Sequence, residues 1–113
     1  MAKGDEKEKC DYLSKKIANL RVFSDGAGKM NLSVLDVKGE ILLISQFTLL
    51  ADVSGGNRPG FQNAEIPEKA EEIYRYAAEK LIERGVAVKT WIFGADMRIE
   101  QLNDGPVTII YDI

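Results

Sequence analysis

The chain has 113 residues, 45% hydrophobic and 29% charged, with a formal net charge of −3, one cysteine and no histidine. That length suits one domain with a core of its own, in the composition range of ordinary globular proteins. The lone cysteine and the lack of histidine exclude a disulfide scaffold, most zinc sites, a Ser-His-Asp triad and a Cys-His pair. The negative balance excludes a molecule that grips nucleic acid by overall charge, and still permits local contact with a nucleic-acid end.

Met1 to Asp11 is charged rather than apolar, so no signal peptide is visible. No apolar run approaches a membrane span, and a cytoplasmic location is expected. Asp5 to Leu20 reads as a helix, with Cys10, Leu13, Ile17 and Leu20 at three- and four-residue spacing. Asp5 with Glu8 has the form of a capping box. Cys10 falls on the apolar face and reads as a small core residue rather than a nucleophile, since no basic partner is near it in sequence.

Arg21-Val22-Phe23 predicts a short strand, Ser24 to Lys29 a turn, and Met30 to Val37 a return strand. Lys38-Gly39 turns into Ile41 to Leu50, whose four leading apolar residues predict a strand buried on both faces. That strand ends in Ser45, Gln46 and Thr48, polar groups that must either cap nearby backbone or meet a ligand. Ala51 to Ile66 is a glycine-rich loop containing one cation, Arg58, which is either solvated or placed for a phosphate or carboxylate.

Pro67 to Arg84 is the second helix, started by proline and stopped by Gly85, with Ala70, Ile73, Tyr74, Ala77 and Leu81 on one stripe. Glu71 and Arg75 are spaced to pair on its outer face, and its tyrosines read as packing residues. Val86 to Phe93, Met97 to Leu102 and Pro106 to Asp112 predict three further strands, separated by Gly94-Ala95-Asp96 and by the turn Asn103-Asp104-Gly105.

Ser45-Gln46-Phe47-Thr48, followed much later by Asn103-Asp104-Gly105-Pro106-Val107-Thr108, resembles the two signature motifs of the D-aminoacyl-tRNA deacylases, also called D-tyrosyl-tRNA deacylases. Arg21 to Asp25, Gly28 to Asn31, Asn57-Arg58-Pro59 and Phe93 to Met97 support the resemblance in the same order, and it extends over the whole chain. It implies an α/β fold: a single compact domain over residues 1–113, with a mixed or antiparallel barrel-like sheet and two main helices.

The implied activity is hydrolysis of the ester bond of D-aminoacyl-tRNA, and of glycine mischarged on alanine tRNA, releasing the amino acid and free tRNA. Carried over by motif, the catalytic segment would be Ser45, Gln46, Phe47 and Thr48, and the substrate-binding residues Met97, Gly105 and Pro106. The implied partners are the aminoacylated 3′ end of tRNA and a second copy of the chain, with no membrane, metal or other cofactor. Gly105-Pro106 would reach into the partner copy's pocket and reject L substrates rather than grip D ones. The resemblance also implies a cis Gly105–Pro106 peptide, although an ordinary turn accounts for the same residues.

Backbone N–H groups near Phe47 and Thr48 would hold the oxyanion, with the substrate's ribose 2′-hydroxyl assisting attack by water. Thr48 is the competing nucleophile, but no base in the sequence activates it. The chain also departs from the family. It is expected to be truncated at the N-terminus by strands that precede the first helix in relatives, which would remove core and bare a sheet edge. Trp91 and Ile92 stand where a glycine and often a basic residue are expected, and Gly60 where serine is common. The alternative function is a non-catalytic module of the same fold that binds a tRNA end or a protein. Relatives of altered chirality change the Ser-Gln-Phe-Thr motif, which is intact here.

Overall fold

Two amphipathic helices, α1 (Lys7–Asn19) and α2 (Pro67–Glu83), pack against each other in a computed structural model that describes all of residues 1–113. α1 buries Cys10, Ser14 and Ala18, and α2 buries Ala70, Ile73, Tyr74, Ala78 and Leu81. The Cys10 thiol lies 3.9 Å from the Ile73 carbonyl, burial pushes its pKa up, and it is the core residue its spacing predicts. Polar contacts fix the helices' relative position. Tyr76 donates its hydroxyl to Asp11 Oδ1 at 2.9 Å, and Arg84 Nε donates to Ser14 Oγ at 3.0 Å. The expected Glu71–Arg75 pair forms on the exposed side at 2.7 Å.

The helix ends differ in how they are closed. Pro67 opens α2 as expected. At its other end Gly85 N–H reaches Ile82 O and Val86 N–H reaches Leu81 O, the paired bonds of a Schellman stop. Gly85 sits at φ +93, a backbone state that favours glycine. The capping box expected at α1 does not form. Glu6 is the N-cap, without a side-chain bond, and Asp5 instead accepts from the Ala2 N–H at 2.8 Å and from Lys9 Nζ at 3.1 Å. The cause is the segment ahead of the helix, which bridges from Ala2 to Ala64 and so holds Asp5 outside capping position.

Four short strands form two sheets that share no hydrogen bond: β1 (Phe23–Ser24) antiparallel to β2 (Met30–Leu32), and β3 (Glu40–Leu43) parallel to β4 (Ala87–Thr90). The class is α/β with two helices and small sheets of mixed pairing. Ala18, Val34 and Val86 form the small core cluster that α1, the β2–β3 connection and the entry to β4 share, with Leu35, Ile41 and Val88 packed around it.

Several strands are shorter than the sequence predicts. β2 stops at Leu32 because Ser33 and Asp36 bond reciprocally, Ser33 N–H to Asp36 Oδ2 and Asp36 N–H to Ser33 Oγ, closing a turn in place of the expected continuation to Val37. β3 is not buried on both faces: Leu42 is 50% exposed, since β3 pairs only with β4 and α2 covers one side. The expected strands over 97–102 and 106–112 are absent. Those residues find no ladder partner, and Leu102 and Ile110 are 95% and 84% exposed.

An apolar groove of about 340 Å³ runs between α1 and α2, bordered by Leu13, Ile17, Leu49, Ala77 and the terminal Tyr111 to Ile113. So much bare apolar surface is unusual for a monomer. The isolated chain is therefore expected to self-associate at micromolar concentration, as seen by sedimentation velocity; a monodisperse monomer would contradict this.

Three surface turns are closed by carboxylates. Asp25 is held below the ordinary carboxyl range by the N–H groups of Lys29 and Ala27, Asp36 by Ser33, and Asp52 by the hydroxyl and N–H of Ser54. A depressed folded pKa contributes stability above the unfolded value and loses it as pH falls through the folded value. The melting temperature should hold down to about pH 4 and fall below it, less steeply when all three are changed to Asn. A melting temperature that is flat or rising below that pH would refute the assignment.

Candidate active site

β3 and β4 run parallel, so their carboxyl ends leave the sheet side by side, the position at which open α/β sheets form ligand crevices. The last paired residues are Leu43 and Thr90. Between the two exits stands Tyr74 of α2. Its hydroxyl donates to Leu43 O at 2.6 Å and accepts the Trp91 N–H at 3.3 Å, so one side chain ties both strands at the point where they part. Its ring rests against Phe93, with centroids 5.8 Å apart.

Beyond this tie the chains diverge and enclose a cleft of about 260 Å³. Ile44 to Thr48 form one wall, Trp91 to Met97 the other, and Tyr74 lies between them. Here the chain leaves extended geometry: Phe47–Leu50 is a 3₁₀-helix, its N-cap Gln46 making no side-chain bond to the helix backbone. Gln46 instead donates its amide to Thr48 Oγ1 at 2.6 Å. Both alternatives for the polar strand end are thus partly realised, because these groups bond each other and also line the cleft.

Four of the expected catalytic positions, Ser45, Gln46, Phe47 and Thr48, come together with Met97 in this cleft. Gly105 and Pro106 do not line it and lie on the exposed C-terminal segment. The cis peptide expected between them is not present: every peptide bond is trans, and Gly105 takes φ +115. The trans form is the lower in energy for an X–Pro bond by roughly 0.5–1 kcal/mol, and nothing in this chain packs on the dipeptide to select the other isomer.

Three lining residues were not singled out as functional from the sequence. Tyr74 reads as packing from its place on the α2 stripe, and it is buried, but a buried tyrosine hydroxyl needs a partner and that requirement was the available signal. Asp96 is the one ionisable carboxylate in the lining. Trp91 was notable only as a departure.

A rigid arm flanks the cleft. Asp52 and Gly60 exchange two backbone bonds, at 2.7 and 2.8 Å, and Asp52 also accepts from Ser54 and Gln62. Phe61 at the arm's base meets Phe47 edge-on, centroids 5.0 Å apart. Arg58, on the arm, is exposed and makes no ion pair. No three His, Cys, Asp or Glu side chains gather closely enough to hold a metal ion. The arrangement offers aromatic and aliphatic walls, hydroxyl and amide groups at one lip, and one carboxylate.

The profile of the family described as D-Tyr-tRNA(Tyr) deacylase matches residues 1–112. Proteins named D-aminoacyl-tRNA deacylase are similar over 110 residues: that of Ruegeria pomeroyi is 57% identical over 97% of this chain and 76% of its own length, and that of Geotalea uraniireducens 53% identical over 97% and 71%. Among solved structures, one titled c-Myc DNA Unwinding Element Binding Protein superposes with a TM-score of 0.86 at 42% identity, covering 96% of this chain and 74% of that one.

Removing the Tyr74 hydroxyl tests whether it organises the cleft. Tyr74→Phe leaves Leu43 O and the Trp91 N–H without their partner and should cost about 1–2 kcal/mol, read as a lower urea midpoint at unchanged slope. An unchanged midpoint would show that the strand ends are held by other means.

Proposed function

This chain belongs to the D-Tyr-tRNA(Tyr) deacylase family, and from that membership we propose that it hydrolyses the ester of D-aminoacyl-tRNA, and of glycine mischarged on alanine tRNA, at the cleft between Ser45–Thr48 and Trp91–Met97. The observation that carries this reading is the convergence of the Ser45–Thr48 segment and Met97, distant in sequence, on one small cleft.

The chemistry needs no histidine. Water adds to the ester carbonyl carbon, and charge collects on the carbonyl oxygen. The bond to the ribose 3′ oxygen then breaks, and that oxygen takes a proton to leave tRNA and a free amino acid. The first N–H groups of a helix have no acceptor within it, and Gln46 supplies no cap at Phe47–Leu50. The N–H groups of Phe47 and Thr48 are therefore suited to the developing oxyanion.

Thr48 is a poor nucleophile in this setting. Its hydroxyl oxygen receives a hydrogen bond from the Gln46 amide, a donor that draws electron density from the oxygen and cannot take its proton. The substrate's own 2′-hydroxyl is the better assistant, directing water at the adjacent ester. Phe47, Ile92 and Phe93 give apolar surface for adenine or a side chain.

Chirality is read by exclusion. A second copy of the chain brings its Gly105–Pro106 segment, exposed here, over the cleft so that an L side chain collides while glycine and D side chains are spared. The working form is thus a homodimer in the cytoplasm, where aminoacyl-tRNA is found.

Matched D- and L-aminoacyl-tRNA substrates decide the reading: the D ester and glycyl-tRNA should be cleared and the L ester spared, and equal rates on D and L would refute it. Thr48→Ala should keep turnover within about tenfold, whereas loss of a true nucleophile removes on the order of a million-fold; a loss of that size with tRNA binding intact would make Thr48 the nucleophile.

A further inference from the structure

Trp91 is the first residue after β4, and its backbone N–H is fixed by the Tyr74 hydroxyl. Its side chain is not buried by this anchoring. Trp91 is 36% exposed, its indole N–H makes no hydrogen bond within the chain, and it lines two hollows at once. One is the cleft; the other is a trough of about 470 Å³ between α2 and the strand exit. Ile92 beside it is 80% exposed and lines both as well.

The trough's charges indicate what it can accept. Arg75 is its one cation and is already paired with Glu71 at 2.7 Å, and Glu79 adds a second carboxylate. A phosphate would meet net negative charge there. A neutral, planar heterocycle meets no such penalty and finds an aromatic face. The 3′ end of an aminoacyl-tRNA is single-stranded, and unpaired bases are recognised by stacking on aromatic side chains.

We propose that Trp91 is a stacking platform for the penultimate base of the tRNA 3′ end, forming a subsite continuous with the cleft that takes the terminal aminoacyl-adenosine. The proposal rests on the deacylase reading above, since it places the terminal nucleotide in the cleft. The trough then binds the next base by its π-face, with its phosphate directed away from Glu71 and Glu79 toward solvent.

Trp91 is the chain's single tryptophan, so its emission reports on this position alone. The probes are the ribotrinucleotide CCA and adenosine monophosphate, titrated against the intact chain by fluorescence and by calorimetry. CCA should quench the emission saturably and bind more tightly than adenosine monophosphate. Trp91→Ala should weaken CCA binding by roughly tenfold and adenosine monophosphate binding much less, and Trp91→Phe should restore most of the affinity. The wild-type measurement stands even where the alanine variant fails to fold.

Unchanged emission at saturating CCA overturns the proposal, as does an equal loss of both ligands in Trp91→Ala. Turnover of D-aminoacyl-tRNA accompanied by either of these results leaves the deacylase reading standing and removes only the subsite. Absence of turnover together with absence of CCA binding overturns both.

Discussion

The hydroxyl of Tyr74 is the contact on which the site depends. Two parallel strands joined by only four residue pairs have little reason to part at a fixed place, and the bonds to Leu43 O and the Trp91 N–H set that place. Tyr74 can do this only because α2 is held in register. The Gly85 stop returns the chain from α2 into β4 without slack, and the polar contacts Tyr76–Asp11 and Arg84–Ser14 lock α2 against α1. A helix therefore positions, through one phenol, a cleft whose walls come from two other segments.

The walls divide the work. The Ile44–Thr48 side carries hydrogen-bonding capacity and the start of a 3₁₀-helix, while the Trp91–Met97 side is mainly apolar with Asp96 at its edge. Such a site binds a nucleoside by shape and surface and stabilises charge with backbone groups, leaving proton transfer to the substrate. This division suits a chain without histidine, and the Gln46–Thr48 bond supports it by occupying the one hydroxyl that would otherwise compete.

Local signals were legible where one residue type decides the backbone or where an apolar stripe has a covering partner. Pro67 and Gly85 bound α2 within a residue of the expected limits, and the spacing of Cys10, Leu13 and Ile17 located α1. The Ser-Gln-Phe-Thr segment and Met97 were placed at one site by motif, and they meet in one cleft. What failed was what depends on distant pairing. Met97 to Leu102 and Pro106 to Asp112 alternate like strands, yet a strand exists only against an edge, and they find none within this chain. The cis Gly105–Pro106 bond failed for a related reason, since no packing surface holds that isomer. Ser33 and Asp36 carry a turn signature inside an apparent strand, and local bonding won. Tyr74 escaped notice because its spacing explained its burial and left its hydroxyl unaccounted for.

The central claim, that the cleft opened by Tyr74 receives the aminoacyl-adenosine end of tRNA, is tested most directly by a crystal structure with a non-hydrolysable analogue, adenosine carrying D-alanine through a 3′-amide. The account predicts the analogue between Ser45–Thr48 and Trp91–Met97, its carbonyl oxygen within hydrogen-bond distance of the Phe47 or Thr48 N–H. An analogue found instead in the apolar groove between α1 and α2, with the cleft empty, would contradict it.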